Sequence, residues 1–465
     1  MKQRILALAA AAALLVGCAG APASSGAAPT AAPTASPTPA PTATPEPQQT
    51  VNPLTGIDTG PEYANHRPFA VTLRTGEGVT PYWGISSADL VIAGLSEGYD
   101  PMLVAVFARV EEVGKVGPVG PARDLGLQFT LPLNAVPVHI DKNTYASNLL
   151  NALTYQDVDG YHVGTAAFAF DTDRQASGYR EENCWYTTGE LISAGLDSYG
   201  LDASGQNMTM FHFAQRPAPA AQNAAELTIR YSASNAEQFF YNSSTGQYEK
   251  NDPDGQATID ADNGTRASFR NILILYASSG VKDDGVTRQY DLSGGTGLYL
   301  TDGAWQEIRW QKGDATAPLA LTTTEGGTLD VNPGKTYLAI YGGHYGQSLL
   351  ITDSGGAEQT LPERMPLLDS AVSDEAAAEA QQIQDASDAL RAAQQEVTAA
   401  EQAVTDAAAT EDTADDTAAA ERLAAAQSAR DEAQAAYDTL VPPTPTPAPT
   451  DTPAEGETGT EETTE

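Results

Sequence analysis

Apolar residues along this chain fall into three patterns: one uninterrupted run over residues 5–16, short runs and alternations across 52–362, and a seven-residue repeat across 374–440. In the middle region the first half mixes two periods. Residues 69–73, 90–94, 102–107 and 137–140 read as short buried strands. Helices are expected near 122–131 and 147–153, and Thr187-Thr188-Gly189-Glu190 resembles a capping box opening a helix that runs to Ala194. From Leu227 onward nearly everything reads as strand and turn, at 227–231, 238–241, 271–276, 297–301, 305–310 and 336–341. Asp284-Gly285 and Asp302-Gly303 supply two of the turns. The expected class is α+β, with a mixed α/β N-terminal subdomain (52–220) packed with a mostly β C-terminal subdomain (221–362), followed by an Ala-rich helical hairpin.

The opening run is too short to span a bilayer as a mature helix and follows Lys2 and Arg4, which suits a cleavable export signal. It stops at Leu15-Val16-Gly17-Cys18, where small residues precede a cysteine suited to lipid attachment. Residues 1–18 are therefore expected to be a lipoprotein signal peptide with Cys18 as the lipid-bearing residue. An ordinary signal peptide with an incidental cysteine is the alternative. Acyl chains contribute about 0.8 kcal/mol per buried methylene, enough in combination to hold a protein without a spanning helix. Residues 19–51 are rich in Ala, Pro and Thr, cannot bury a core, and at ~3 Å per residue could reach about 100 Å from the lipid surface.

In the third pattern Ile383, Leu390, Val397 and Val404 recur in step, with Ala386, Ala393, Ala400 and Ala407 three places after each. This is an a/d seam with alanine at d, which lets helices approach closely. A polar break over 411–416 precedes Ala419, Ala426, Ala433 and Leu440. A helical hairpin is the simplest reading of 374–440, and one arm of a self-associating coil is the other. Pro442 and Pro443 stop the helix, leaving 441–465 as an acidic Pro/Thr tail.

The formal net charge of −37 argues against nucleic acid as a partner, because phosphate neutralisation needs many Lys and Arg. Cysteine offers no disulfide framework, since Cys184 alone remains once Cys18 is lipidated, and Cys184 reads as a small buried side chain. Gly94-Leu95-Ser96-Glu97-Gly98 fits a nucleophile elbow, which requires a helix directly behind the serine. Here Tyr99-Asp100-Pro101 and a second apolar strand follow, so a hairpin turn is the better reading. Asp58-Thr59-Gly60 lacks the second carboxylate of an aspartic protease. Asp260-Ala261-Asp262-Asn263-Gly264 misses the register of a calcium loop and reads as a turn. The histidines lack metal-ligand spacing, and no motif calls for a cofactor.

Across about 52–341 the chain resembles the YerB-like lipoproteins, whose conserved domain has no known function. The likeness rests on Asn52-Pro53-Leu54-Thr55-Gly56, Arg67-Pro68-Phe69-Ala70-Val71, Ser87-Ala88-Asp89-Leu90-Val91, Glu97-Gly98, Gly117-Pro118-Val119-Gly120-Pro121-Ala122-Arg123 and Val138-His139. It continues through Tyr241, Thr245-Gly246-Gln247-Tyr248, Asn271-Ile272-Leu273-Ile274, Gly297 and Pro333-Gly334-Lys335-Thr336-Tyr337. The resemblance implies an N-terminal α+β part and a mostly β C-terminal part on the outer face of a Gram-positive-type membrane. It does not ask for a serine at Ser96. It also implies an Arg where Gly120 stands, a Thr-Arg pair where Asp100-Pro101 stands, and Pro-His-Asn-hydrophobic-Tyr where Glu182-Asn183-Cys184-Trp185-Tyr186 stands. The polar survivors are Glu97, Arg123, His139, Arg174, Arg180 and Tyr186, the candidate ligand-binding set.

Chemically, Arg123 could clamp a carboxylate or phosphate, with His139 or Glu97 as acid or base and Tyr186 as a stacking contact. Alternatively Arg123 and Glu97 pair with each other and hold two loops together. The leading expectation is a membrane-anchored, non-catalytic binding or assembly factor of the envelope, with a wall polymer or envelope protein as partner. A cell-wall-directed enzyme using Glu97, Arg123 and His139 is the competing class, and a structural spacer the third.

Overall fold

A computed structural model of the chain describes residues 50–370, apart from 77, 98–99, 216–221, 233–234, 254 and 344–346. Of the C-terminal segment it describes 389–390, 392–405, 407 and 413–440. The expected signal peptide with Cys18, nearly all of the 19–51 spacer, the 441–465 tail and Gly98 lie outside the described residues.

The class is α+β, as the alternating strand and helix signals require. Its centre is a ten-stranded mixed sheet. One end of the sheet comes from the N-terminal half: β1 (Phe69–Leu73), β2 (Leu90–Glu97), β3 (Asp100–Phe107), β4 (Val136–His139) and β5 (Val158–Asp159). The other end comes from Asn271–Tyr276, Gly294–Thr301, Ala304–Gln311, Ala320–Thr323 and Thr336–Tyr341. The two halves meet where β2 pairs in parallel with Thr336–Tyr341, Leu90 opposite Thr336 and Gly94 opposite Ile340. They thus share one sheet by backbone hydrogen bonding and do not only pack side chain against side chain.

Alternation decides which residues serve which face. Val71, Val91, Ala93, Leu103, Ile272 and Tyr337 point into one core with Leu227, Ile229 and Phe239 of a second, five-stranded antiparallel sheet. Ala70, Ile92, Val104, Leu273 and Leu338 point into the opposite core, against Leu125 and Phe129 of α1 (Asp124–Thr130). Both faces being covered explains why Asn271–Tyr276 and Thr336–Tyr341 are apolar at nearly every position and buried throughout.

Turn chemistry holds up in detail. Asp302 (φ 53°) and Gly303 (φ 75°) are the two positive-φ residues of a two-residue hairpin joining Gly294–Thr301 to Ala304–Gln311. The capping box is shifted by one: Thr188 caps the helix Gly189–Tyr199 by accepting from Leu191 N, while Thr187 Oγ1 donates to the Ala167 carbonyl. That helix also runs past Ala194 to Gly200, whose left-handed conformation ends it. Asp260, expected in a turn, is wholly buried. Its carboxylate accepts from Gly84 N, Ser86 N, Ser86 Oγ and Asp262 N, which ties the two halves together. At the C-terminal end, Thr413–Leu440 is helical, and Arg422 donates to Glu396 at 3.3 Å, bringing two helical segments side by side. Val397 and Ala400 are buried; Ile383 and Ala386 lie outside the described residues.

Candidate functional site

β1 and β2 are each antiparallel to β3, so they run in the same direction, and β4 and β5 follow β1 in parallel. Their carboxyl ends therefore share one edge of the sheet, the position where open sheets of this kind present chemistry. Arg74, Glu97, His139 and Asp159 all stand at that edge.

Glu97 Oε1 lies 2.9 Å from Arg123 Nε and also accepts from Asn143 Nδ2 at 2.7 Å. Asn143 is held in turn, because its side-chain oxygen caps α2 (Thr144–Leu153) by accepting from Ala146 N. Both Glu97 and Arg123 remain partly exposed, and they line a cleft of about 190 Å3 with Thr72, Arg74, Thr75 and Ser96. The loop-tying pair is thus present, and it stands in an open cleft. Two polar atoms of this cleft are buried without a hydrogen-bond partner among the described residues, Ser96 Oγ and Arg74 Nε. Arg74 feels Glu182 and Asp141 only through space, and burial pushes its guanidinium pKa down. The serine sits in a β-hairpin, β2 to β3, rather than on a strand-to-helix elbow.

His139 does not join that cleft. Its ring is fully buried, with Nε2 3.0 Å from Asp157 Oδ2 and Nδ1 3.9 Å from Asp159 Oδ1. His139, Asp157 and Asp159 lie close enough to suggest a metal centre. The position already has a cation, since Lys142 Nζ donates to Asp157 Oδ2 at 2.8 Å and Asp159 Oδ2 at 2.7 Å. Burial alone would raise the Asp157 carboxyl, but hydrogen bonds from His139 and Lys142 hold it at about 2. The same carboxylates raise the Lys142 pKa against the opposing effect of burial. Asp159 has a second task, capping α3 (Gly160–Val163) by accepting from Tyr161 N.

Arg174, Arg180 and Tyr186 are not gathered around Arg123. Arg174 is buried, donates to the Val79 and Pro81 carbonyls, and stacks its guanidinium on Trp83 at 4.4 Å and Tyr179 at 4.2 Å. It braces a loop, with only Nε left unmatched among the described residues. Arg180 is exposed, and its carbonyl receives the Cys184 thiol at 3.3 Å. Tyr186 meets the Trp83 ring edge-on and lies under Lys115 Nζ at 4.3 Å. Cys184 is completely buried, and that burial pushes its thiol pKa up, away from reactivity.

Arg74 is the residue that sequence reasoning missed. It also lines a second cleft, of about 420 Å3, walled by Tyr161, Phe168, Trp185, Glu181 and Glu182. The one available signal was its place directly after the apolar run of β1. The Arg implied at Gly120 finds no room: a Cβ there would lie 2.8 Å from the Arg74 backbone nitrogen and Cα.

Comparison with known proteins gives a consistent picture. Residues 54–202 match the protein of unknown function (DUF3048) N-terminal domain, and 227–338 match its C-terminal domain. A protein of Bacillus subtilis (strain 168) named "Putative lipoprotein YerB" is 26% identical over 298 residues, covering 62% of this chain and 85% of its own. The crystal structure of the YerB protein from Bacillus subtilis matches with a TM-score of 0.56 at 24% identity. That alignment covers 64% of this chain and 98% of the solved one, and establishes likeness of fold.

Proposed function

The chain belongs to the DUF3048 family, carrying both its N-terminal and C-terminal domains, and from that premise we propose that it is a lipid-anchored envelope protein that binds rather than catalyses. The name of the Bacillus relative and the Cys18 lipobox support the anchor. No helix among the described residues is long and apolar enough to cross a membrane, which accords with attachment by lipid. The outer face of the membrane is the side this reading assigns. Its partner is a wall polymer or another envelope protein, and residues 374–440 offer a surface for self-association.

One observation carries the binding reading: the groups an enzyme would need are committed elsewhere. His139 is sealed behind Asp157, Glu97 is held by Arg123 and Asn143, and Cys184 is buried with a raised pKa. No imidazole among the described residues is bonded to the Ser96 hydroxyl.

The test has two arms. Replacing Cys18 with Ser should move the protein from the membrane fraction to the soluble fraction. The chain without its leader, residues 19–465, should then co-sediment with purified sacculi and release no fragments detectable by mass spectrometry. Fragments that vanish in Glu97→Ala or His139→Ala would make it an enzyme and overturn the reading. A protein that neither sediments nor releases anything would point to a protein partner.

A further inference from the structure

Arg74 lines both clefts, and the two differ in polarity; together they are treated as the two sides of one groove. On one side stand hydroxyls and guanidinium groups: Ser96, Thr72, Thr75, Arg123 and Arg74 itself. Among the described residues the carboxylate that lines this side is Glu97, and it is taken by Arg123 and Asn143. Ser96 is only 4% exposed, yet its hydroxyl makes no bond among the described residues, and neither does Arg74 Nε. A buried hydroxyl and a buried guanidinium nitrogen left unmatched together cost stability, since each forfeits water without a replacement. A ligand oxyanion lying between them would supply both acceptors at once.

On the other side of Arg74 the walls change character. Tyr161 is 74% exposed, Trp185 is half-buried, and Glu181 and Glu182 contribute carboxylates. Those carboxylates repel a second anion and accept hydrogen bonds from hydroxyl groups, while an exposed aromatic ring offers a face to the apolar side of a sugar. The cleft, at about 420 Å3, lies within the range of small-molecule sites.

We propose that this groove binds a phosphorylated carbohydrate, with the phosphate between Arg74 and Ser96 and the sugar against Tyr161. The donors choose phosphate over carboxylate. Two guanidinium groups and three hydroxyls outnumber what the two oxygens of a carboxylate accept, whereas a tetrahedral phosphate turns an oxygen in several directions. Glu97 is then a positioning residue, which aims Arg123 without touching the ligand. This inference rests on the binding reading above and names the chemistry that reading would recognise.

The test is calorimetric titration of residues 19–465 with inorganic phosphate, acetate, glucose and glucose 1-phosphate. Phosphate should bind saturably in the millimolar range, glucose 1-phosphate about tenfold tighter, and acetate and glucose more weakly than phosphate. Arg74→Ala should weaken both phosphates about tenfold or more, with Arg74→Lys in between and melting curves confirming that both variants fold. Tyr161→Ala should bring glucose 1-phosphate down to the level of inorganic phosphate. Glu97→Ala, which releases Arg123, should weaken both phosphates by less than Arg74→Ala does, and Glu97→Gln should recover part of that loss, which separates positioning from contact.

Absence of saturable phosphate binding, acetate binding as tight as phosphate, or an unchanged Arg74→Ala would each overturn the proposal. If Arg74→Ala loses phosphate while still sedimenting with sacculi, the groove stands and wall attachment lies elsewhere on the surface. If phosphate fails to bind while sacculi still capture the protein, the binding reading survives and the phosphate assignment falls.

Discussion

Two charged clusters share the carboxyl edge of the same parallel strands, and they are built on opposite principles. Around His139 the charges are closed: Lys142 bridges Asp157 and Asp159, the histidine donates to Asp157, and Asp159 also caps α3. Around Arg74 they are open, with two guanidinium groups, one bonded carboxylate and two buried polar atoms unmatched among the described residues. Sequence proximity to a sheet edge therefore does not make a site. His139 Nδ1 is itself unmatched among the described residues, so what separates framework from binding surface here is whether the charges are paired within the protein: Lys142 is bonded to both carboxylates, whereas Arg74 feels its carboxylates only through space.

The sharpest way to break this contrast is at its cations. Lys142→Ala leaves two carboxylates without their counter-charge and should cost about 3 kcal/mol, read as a lowered urea midpoint. Acid should then expose the same cluster in the parent protein. Asp157 titrates at about 2 when folded, below its ordinary value of 3.8, so its contribution is complete above the unfolded value. The Asp157 contribution, read as the difference between the parent and Asp157→Asn, should be level above pH ~5 and fall by about 2 kcal/mol as the pH drops from about 4 to about 2. Acid titration of both proteins monitored by circular dichroism would record it.

A smaller difference should emerge from double-mutant cycles. The Glu97–Arg123 pair, both members more than a fifth exposed, should couple by about 0.5 kcal/mol. Lys142–Asp157, more deeply placed and sharing a third member, should couple by about 2 kcal/mol. Smallest of all, Arg74→Ala should change stability by no more than about 0.5 kcal/mol, because its Nε has no hydrogen-bond partner among the described residues to lose. A large destabilisation by Arg74→Ala, or none by Lys142→Ala, would dissolve the distinction.

The sequence exposed the strands that are buried on both faces, because continuous apolar runs such as Asn271–Tyr276 and Thr336–Tyr341 leave little else for them to be. It also exposed the Asp302-Gly303 hairpin, whose positive φ values are a local demand. What it withheld was pairing at a distance. Nothing near Leu90 says that its neighbour is Thr336, and nothing near Asp260 says that its carboxylate will be spent on Gly84 and Ser86. The site suffered most from this. The sequence admits Glu97 and Arg123 as a pair, but it offers His139 and Arg174 equally as polar residues in a suggestive context, and only the fold shows both to be buried. Arg74 carries no motif at all, and its significance comes from loops and a hairpin that arrive from elsewhere in the chain.

The parallel pairing of β2 with Thr336–Tyr341 also sets a timetable. Once β3 has been synthesised, β1 and β3 can already embrace, but the outer edge of β2 has no neighbour until Thr336, some 240 residues after Glu97, has followed. Through that interval Leu90–Glu97 presents an apolar, unpaired strand, the kind of edge on which chains adhere to one another. A protein made this way has a long adolescence. Its late strand serves as the latch that ends the danger, and a chain cut short before residue 336 should aggregate rather than fold into half a molecule.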